Sequence, residues 1–454
     1  MHAKRLHPPQ LSRRRRSIAA AAMRPSRLGS SHQSSSRSGF ASGLVLLMLV
    51  FLAGFIALGL NVSRLSQVQA QLRTVCEASA ISAAAELLDE GFLAGQEDQR
   101  DDIVAARETA RKTALANFVD GRPVDLNLNS DNAPLGDIVV GSIDPLKPAG
   151  RPIALPFDVH QAQGLNTVRV TARMKLNTYN KVTLFCGALL GVLSTDAASS
   201  AQATLDRRIA GFRPEPNVRV PVVPVCVEYD SWIKQATARC RSGINDNYTI
   251  DYATGEVTLG PDGIAEILVS TLPSQAATDA DGEATDAAAG TDVESGADAE
   301  QSTELPPPAW CRTLVLTGDA SAVDAWLVRC RDGLSQRDLE TLGGQLIVLP
   351  QGATPVATLP SMPSDLPNAL MNIIGGSRAW ALAEAEADDG TCEIVGFGAG
   401  RIVAVRAASN DNDSTTDNWV IVVQPTTLVS SQAVTTPDMN PNPWIGKLEL
   451  TQSW

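Results

Sequence analysis

The side chains that most often carry out catalysis are scarce in this chain. Of its four histidines, His2, His7 and His32 lie in a basic N-terminal segment, which leaves only His160 elsewhere, in a proline-rich stretch typical of a loop. An HExxH zinc site or a multi-histidine metal site needs more than one imidazole. The sequence contains neither a GxxxxGK[ST] phosphate loop nor a GxSxG elbow, and no arrangement of its many carboxylates stands out as an acid–base pair. We therefore expect no enzyme and no cofactor.

Two acidic segments resemble parts of cation sites. Residues 319–323 follow an apolar stretch as Asp-Ala-Ser-Ala-Val, which resembles the D-x-S-x-S metal loop of a von Willebrand A domain but has valine where the last hydroxyl ligand is needed. Residues 410–414 begin like a calcium loop but lack its glycine and its terminal glutamate. We expect no metal ligand set in either place, and a polar hairpin loop at residues 410–414.

The seven cysteines contain no CxxC pair, so a zinc or thiol redox motif is not expected. Cys226 with Cys240 and Cys311 with Cys330 are the pairs closest in sequence, and each could close a short loop as a disulfide that stabilises by about 3 kcal/mol. The alternative is that these cysteines are small buried apolar residues, and the sequence leaves both open. The odd count leaves at least one thiol free or intermolecular.

A long apolar run near the N-terminus must be placed before any other element. No charged residue occurs between Ser38 and Ser63, and residues 40–60 include thirteen Leu, Ile, Val or Phe residues. As a helix the run rises about 30 Å, which matches the hydrocarbon core of a bilayer. It is longer than the apolar core of a signal peptide, and no good small-x-small cleavage site follows it closely. We therefore predict a retained transmembrane helix over residues 39–63.

The charges on either side of the span predict its direction. Residues 1–38 contain nine Lys or Arg residues and no Asp or Glu, which is typical of a disordered cytoplasmic arm. The whole chain has 37 basic and 50 acidic residues, so the part beyond the arm carries a net charge of −22. We expect a single-pass protein of the bacterial cytoplasmic membrane, with its C-terminal region outside the cytoplasm. An acidic outer region gives no reason to expect nucleic acid as a partner.

Along the segments after the span, the residue pattern changes from one typical of helices to one typical of β-strands. Apolar residues continue at helical spacing to about Leu88, and a second helix is predicted for about 97–118, so residues 64–120 are expected to form a helical stalk. Residues 167–174 alternate as a half-buried strand, and 218–227 read as an edge strand because of their prolines. Hairpins are predicted for 247–259 and for 401–405 with 419–423, and a capping box at 321–324 predicts a helix through about Arg331.

The predicted fold class is α+β: one transmembrane helix, a helical stalk and a mainly β extracytoplasmic region. Residues 274–309 are acidic, lack any basic residue and predict a disordered linker. It separates a β-rich part (121–273) from a second β-rich or mixed part (310–454), which could form one domain or two. The apolar run 182–193 is too short to span a bilayer, so we expect a core helix; contact with the membrane surface or a partner's span is the alternative.

Three features follow one another between Gly39 and Ala85. Gly39 separates a basic arm from the span, Gly59-Leu-Asn61-Val-Ser-Arg64 follows the span, and Glu77-Ala-Ser-Ala-Ile-Ser-Ala-Ala-Ala85 is rich in small residues. This order resembles the N-terminal domain of TadE/TadG-like Flp pilus-assembly proteins of bacteria. The family pattern is similar to G-x-x-V/I-D-x-x-R and, further on, D-A-A-A-L-A-A-A, so Asn61 and Glu77 stand where aspartate is common.

The resemblance implies a single-pass structural or assembly component of the tight-adherence pilus or secretion machinery. Its partners would be the lipid bilayer and other pilus-assembly membrane proteins, and its oligomeric state stays open. A processed pilin is not implied, because the fifth residue after Gly39 is Leu44 rather than an acid. An adhesin or ligand-binding ectodomain on a membrane anchor is the alternative function. The candidate motif and helix-contact residues are Gly39, Gly59, Asn61, Arg64, Glu77, Ala78, Ala80 and Ala84.

Overall fold

The structure is a computed structural model that divides into two compact units, one ending at Gly59 and one running from Leu60 to Trp454. It describes residues 38–88, 91, 93, 100–144, 164–175, 181–185, 187, 191–237, 246–251, 254–271, 308–317, 325–348, 352–386, 390–407 and 418–453.

The described helices are α1 (Ser38–Ala85), α2 (Arg100–Leu115), α3 (Tyr229–Thr237), α4 (Ala325–Asp332) and α5 (Leu366–Met371). The strands are β1 (Phe118–Val119), β2 (Arg122–Pro123), β3 (Ile138–Gly141), β4 (Thr167–Met174), β5 (Val182–Thr183), β6 (Ser194–Thr195), β7 (Ala197–Asp206), β8 (Ile209–Phe212), β9 (Val222–Glu228), β10 (Tyr248–Asp251), β11 (Glu256–Leu259), β12 (Ile267–Ser270), β13 (Ala309–Thr313), β14 (Leu346–Ile347), β15 (Thr354–Ala357), β16 (Ser377–Glu386), β17 (Thr391–Ala407), β18 (Trp419–Pro425), β19 (Leu428–Val429), β20 (Ala433–Thr435) and β21 (Ile445–Ser453).

Helix α1 is, within the described ranges, the one helix that is long and apolar enough to cross a bilayer, with a mean hydropathy of 2.7 in its most apolar window. Its large side chains from Leu44 to Ile56 are exposed. Exposed leucine and phenylalanine on every side of a helix suit lipid rather than water as the surrounding solvent. The predicted α+β architecture with one long N-terminal helix and a mainly β remainder is confirmed.

Beyond Leu60, helix α1 becomes part of a packed core. Val68, Leu72 and Val75 are buried, and they contact the same cluster as Ile103 and Ala106 of α2. The helix spacing of these apolar residues, three or four apart, places them on one face. Polar contacts align the two helices as well: the Ser82 and Thr113 hydroxyls lie 2.9 Å apart, and Thr109 Oγ1 donates to Glu86 Oε1 at 3.0 Å.

A five-stranded sheet completes this helical core. Its strand order is β19-β21-β7-β4-β3, and all pairs are antiparallel except β19 with β21. Buried residues at alternate positions of β4, such as Val168, Val170 and Ala172, belong to the same cluster as α1 and α2. The strand predicted for residues 167–174 is confirmed, and its alternation is what directs one face toward the helices.

A second sheet is closed by pairing between its strands β17 and β18. Hydrogen-bonded neighbours run β17-β16-β9-β13-β12-β18, and β18 pairs again with β17, while β15 pairs with the first part of β17. Trp232 of α3 and Trp380 of β16 are fully buried and their rings lie 6.0 Å apart. Gly398 makes room for this packing, since a Cβ there would lie 2.7 Å from the Trp232 ring.

Several hairpin and helix predictions are confirmed. β10 pairs antiparallel with β11 as predicted for residues 247–259, with Ile250 opposite Val257. β17 pairs with β18 with Val405 opposite Ile421. α2 occupies the inner part of the helix predicted for 97–118, and α4 ends at Asp332, one residue beyond the predicted end; its proposed cap at 321–324 lies outside the described residues.

The edge-strand prediction for residues 218–227 is wrong. β9 lies between β16 and β13 inside the closed sheet, and Val222, Val225 and Val227 are fully buried. Pro224 is tolerated because it falls where the register of β9 against β16 shifts, between Val222 and Cys226, and its carbonyl still accepts the Leu314 amide at 3.0 Å.

The core-helix prediction for residues 182–193 is also wrong. The start of this run forms the short strand β5, which pairs antiparallel with β6 just beyond the end of the run, with Val182 opposite Thr195. Val182 is buried, but Phe185 and Leu193 are exposed. Residues 186 and 188–190 lie outside the described residues.

The two β-rich parts of the chain are interleaved. β9 and β12 precede the acidic segment 274–309, β13 and β16–β18 lie at or beyond its end, and all belong to one sheet. β21 likewise returns to pair with β7. The predicted linker itself lies outside the described residues, except for its last two positions.

Glu266 is a buried carboxyl at the start of β12 with an unusual titration. Its oxygens accept the backbone amides of Asn247 and Tyr248 at 2.8–3.0 Å. Burial raises the pKa of Glu266 from 4.5 to about 7, against the opposing effect of the Asn247 amide. The protonated carboxyl is thus favoured by folding, so its contribution to stability is complete below pH 4.5 and is lost as the pH rises through 7.

We expect Glu266→Gln to remove this pH dependence, because glutamine keeps an acceptor for the two amides and cannot ionise. Between pH 4.5 and 7.5 the free energy of unfolding of the original chain should fall by about 3 kcal/mol relative to the variant. Chemical unfolding of the full chain in detergent micelles measures this, with Glu256→Gln on the neighbouring exposed strand as the control. Parallel curves for the original chain and Glu266→Gln would contradict the assignment.

Candidate functional site

Arg64 is the first charged residue after the apolar run, and the structure gives it a definite partner. Its Nη2 donates to both carboxylate oxygens of Asp120 at 3.0 Å. Gln71, two helical turns further along the same face of α1, accepts the backbone amide of Asp120 through Oε1 at 3.0 Å. Two side chains of α1 therefore hold one turn of the folded unit.

The turn that contacts Arg64 and Gln71 is a tight two-residue hairpin loop. Asp120 and Gly121 join β1 to β2, with Val119 opposite Arg122. Both residues adopt positive φ, 50° at Asp120 and 78° at Gly121. An Asp-Gly pair is a preferred two-residue hairpin loop, because aspartate tolerates and glycine readily adopts this backbone region. The conformation points the Asp120 carboxylate toward the helix.

Phe185 covers the other side of the Arg64 guanidinium. Its ring centroid lies 4.2 Å from Arg64 Cζ, within the range of a cation–π contact. Together these groups border a cleft of about 420 Å³, whose lining includes Leu60 at the end of the apolar run. The Arg64 and Asp120 side chains are 20% and 30% exposed, so the ion pair should contribute no more than about 1 kcal/mol. The ion pair is therefore a local contact between the helix and the β1–β2 turn with little weight in the total stability.

The small-residue segment after Glu77 has a different role from the one expected. Ala80 and Ala84 are fully buried in the core formed with α2 and the sheet, and Ala78 is half-buried. Small side chains let the second helix approach closely, and this chain itself fills the space. The expected use of Ala80 and Ala84 as contact points for another protein is therefore corrected. Glu77 accepts a hydrogen bond from Arg73 Nε at 2.7 Å within α1.

The remaining motif residues lie along the same helix. Gly39 belongs to the first turn of α1. Around Gly59, within the described part of the chain, no heavy atom lies within 4 Å of where a Cβ would be. Asn61 is buried, at 5% exposure.

The described cysteines are free thiols and do not form disulfides between the pairs closest in sequence. Cys311 and Cys330 are separate buried thiols, and burial raises the pKa of each to about 12. Cys226 instead faces Cys392, with the two Sγ atoms 3.2 Å apart, while Cys240 lies outside the described residues. Cys76 is buried and donates to the Ser199 carbonyl at 3.2 Å. Thiols this deeply buried behave as apolar core residues.

The described residues contain no group of three His, Cys, Asp or Glu side chains that could hold a metal ion. Segments 319–323 and 410–414 and all four histidines lie outside the described residues. A polar cleft of about 860 Å³ includes Arg219 in its lining, but that arginine already donates to the Gly333 carbonyl and to Asp338. The Arg219 charge is therefore paired within the fold. The cleft gives no specific support for an adhesin or a ligand-binding module.

The sequence singled out Arg64 but missed its partners. Asp120 was placed in the sequence that ends the second helix, although Asp-Gly followed by extended residues is also a hairpin signal. Phe185 was assigned to a core helix. Both lie far from Arg64 in sequence, and a single sequence contains no signal that would bring them together.

Comparison with known proteins identifies one region. Residues 39–86 match the family model described as putative Flp pilus-assembly TadE/G-like. Searches of the curated proteins and of the solved structures gave no match. The matched residues cover almost all of α1, including Arg64 and Gln71, whereas Asp120 and Phe185 lie beyond them. The match and the apolar helix together support a membrane protein related to Flp pilus assembly.

A double-mutant cycle with Arg64→Met and Asp120→Asn tests whether the ion pair is made in solution. We expect a coupling of about 0.5–1 kcal/mol, since both groups are partly screened by solvent. Arg64→Lys should retain much of that coupling, because one nitrogen of Arg64, Nη2, makes both contacts and an ammonium nitrogen can replace it. The measurement is chemical unfolding of the full chain in detergent micelles.

The exposed pair Arg73 and Glu77 gives a matched control, because its coupling lies wholly within one helix and should be about 0.3–0.5 kcal/mol. A zero coupling for Arg64 with Asp120, alongside a measurable coupling in this control, would show that the helix does not hold the turn.

Proposed function

We propose that the chain is a single-pass assembly component of a Flp (tight-adherence) pilus or secretion system in a bacterial cytoplasmic membrane. Its N-terminal arm lies in the cytoplasm, its folded unit lies outside, and it acts through contacts rather than catalysis. The family match to residues 39–86 is the observation that carries this proposal. The match coincides with α1, the element that supplies both the apolar run and part of the folded core.

The physical role of such a component is to hold a folded unit at a set height and angle on the membrane. Helix α1 continues without a break from the apolar run to Ala85. One face of its second half is buried between Val68 and Ala84, so this part of the helix is itself an element of the folded unit's core. Arg64 and Gln71 hold the Asp120 turn at the start of this contact.

Orientation follows from charge. The nine basic residues of the arm favour the cytoplasmic side, and the net charge of −22 beyond it gives no attraction to anionic lipid. A reporter fused after Trp454 tests this directly. Alkaline phosphatase should be active and β-galactosidase inactive at this position, whereas the reverse pattern would contradict the topology.

Contacts with other pilus components must use surfaces that this chain leaves open. Because Ala80 and Ala84 are covered, the available face of α1 is the one that carries Thr74 and Ile81, both exposed and two turns apart. Ile81 is 37% exposed and lies directly beside the buried Ala80. Ile81 is therefore a position where a crosslinking side chain can be placed without entering the core.

We expect a photoreactive benzophenone side chain at Ile81 to capture a pilus-assembly membrane protein in intact host membranes. The same group at Leu259, 81% exposed on the separate β10–β11 hairpin, is the control for non-specific capture. Deleting the chain should also remove surface Flp pili, seen by electron microscopy, and the original gene should restore them. Normal pili without the chain, together with no captured protein at Ile81, would overturn the proposal.

A further inference from the structure

The hairpin of β5 and β6 ends in exposed apolar side chains. Phe185, Val192 and Leu193 are 70%, 51% and 67% exposed, and we call these three residues the apolar tip. Single exposed apolar residues are ordinary on protein surfaces, but a cluster on one projecting hairpin marks a surface that meets another apolar phase.

The apolar tip has a defined conformation. The Leu184 amide donates to the Leu193 carbonyl and the Val192 amide to the Gly187 carbonyl, both at 3.0 Å. At the base of the hairpin, Val182 is fully buried in the core shared by the helices and the sheet. The described residues of the hairpin are therefore held by backbone hydrogen bonds above a buried base.

The tip lies level with the end of the apolar run. Phe185 lines the same cleft as Leu60, the last residue of that run, and it stacks on Arg64. A helix rises 1.5 Å per residue, so Arg64 lies about 6 Å beyond Leu60 along α1. The interfacial layer on each side of the hydrocarbon core is about 5–7 Å thick. Arg64 and the ring that covers it are thus at the depth of the lipid headgroups.

We propose that the apolar tip inserts into the interfacial layer of the leaflet from which α1 emerges. The bilayer is the occupant that the position favours, because Phe185 of the tip shares a cleft with Leu60, the residue at which the apolar run ends. Aromatic rings are enriched at this depth, and an arginine can lie along apolar surface with its charge toward water. The folded unit would then be fixed to the membrane at two points, α1 and the tip. This inference does not depend on the pilus function.

Photocrosslinking to lipid tests the proposal on the full chain in phosphatidylcholine nanodiscs. A benzophenone side chain at Phe185 should form lipid adducts, detected by mass spectrometry, about tenfold more often than one at Leu259. Leu259 is the matched control, since it is 81% exposed on the β10–β11 hairpin, which packs against the closed sheet. Phe55, 71% exposed within the apolar run, is the positive control.

A charge placed on the tip provides a second measurement. Leu193→Asp should lower the lipid adducts at Phe185 by about tenfold, because a carboxylate resists insertion at this depth, whereas Leu193→Ala should leave most of them. Thermal unfolding should be unchanged in both variants, since Leu193 is exposed. Equal adduct yields at Phe185 and Leu259, or adducts that Leu193→Asp does not reduce, would overturn the proposal. Capture of a protein instead of lipid at Phe185 in native membranes would also overturn it.

Discussion

A run of about twenty residues without a single charge is the constraint on which everything else depends. Its apolar side chains favour lipid by about −4 to −8 kcal/mol, and its backbone can satisfy every hydrogen bond only as a helix. The run ends at Leu60, and Arg64 follows one turn later. A guanidinium there must leave the hydrocarbon, so this short interval sets where the helix meets water and where the folded unit begins.

The folded unit is organised around that exit. Arg64 and Gln71 hold the Asp120 turn, Phe185 covers the guanidinium, and from Val68 onward the helix is an interior element of a helix-and-sheet core. Each of these contacts is weak alone, because the ion pair is partly exposed. Their common effect is directional, since they join one helix to two separate hairpins. They fix where the β1–β2 and β5–β6 hairpins lie against Arg64 and Gln71 of the helix.

Local patterns predicted much of this architecture. The apolar run, the alternation of residues 167–174 and the hairpin pattern of residues 247–259 each depend on neighbours in sequence, and each of these elements is confirmed. Predictions from local sequence patterns were wrong where tertiary contacts override those patterns. Pro224 suggested an edge, but a register shift accommodates it in a central strand. The run 182–193 suggested a core, but Leu193 faces outward. Ala80 and Ala84 suggested an external partner, although α2 and the sheet already cover them.

An accessibility scan along α1 tests the central claim most directly. Nitroxide side chains would be introduced one at a time at Leu52, Ile56, Leu60, Ser66 and Ala70, in a cysteine-replaced full chain in nanodiscs. Collisions with oxygen, which concentrates in lipid, should dominate through Leu60. Collisions with a water-soluble nickel complex should dominate at Ser66 and Ala70. Access of the nickel complex to Leu52, or no change between Leu60 and Ala70, would contradict a helix that leaves the bilayer at Arg64.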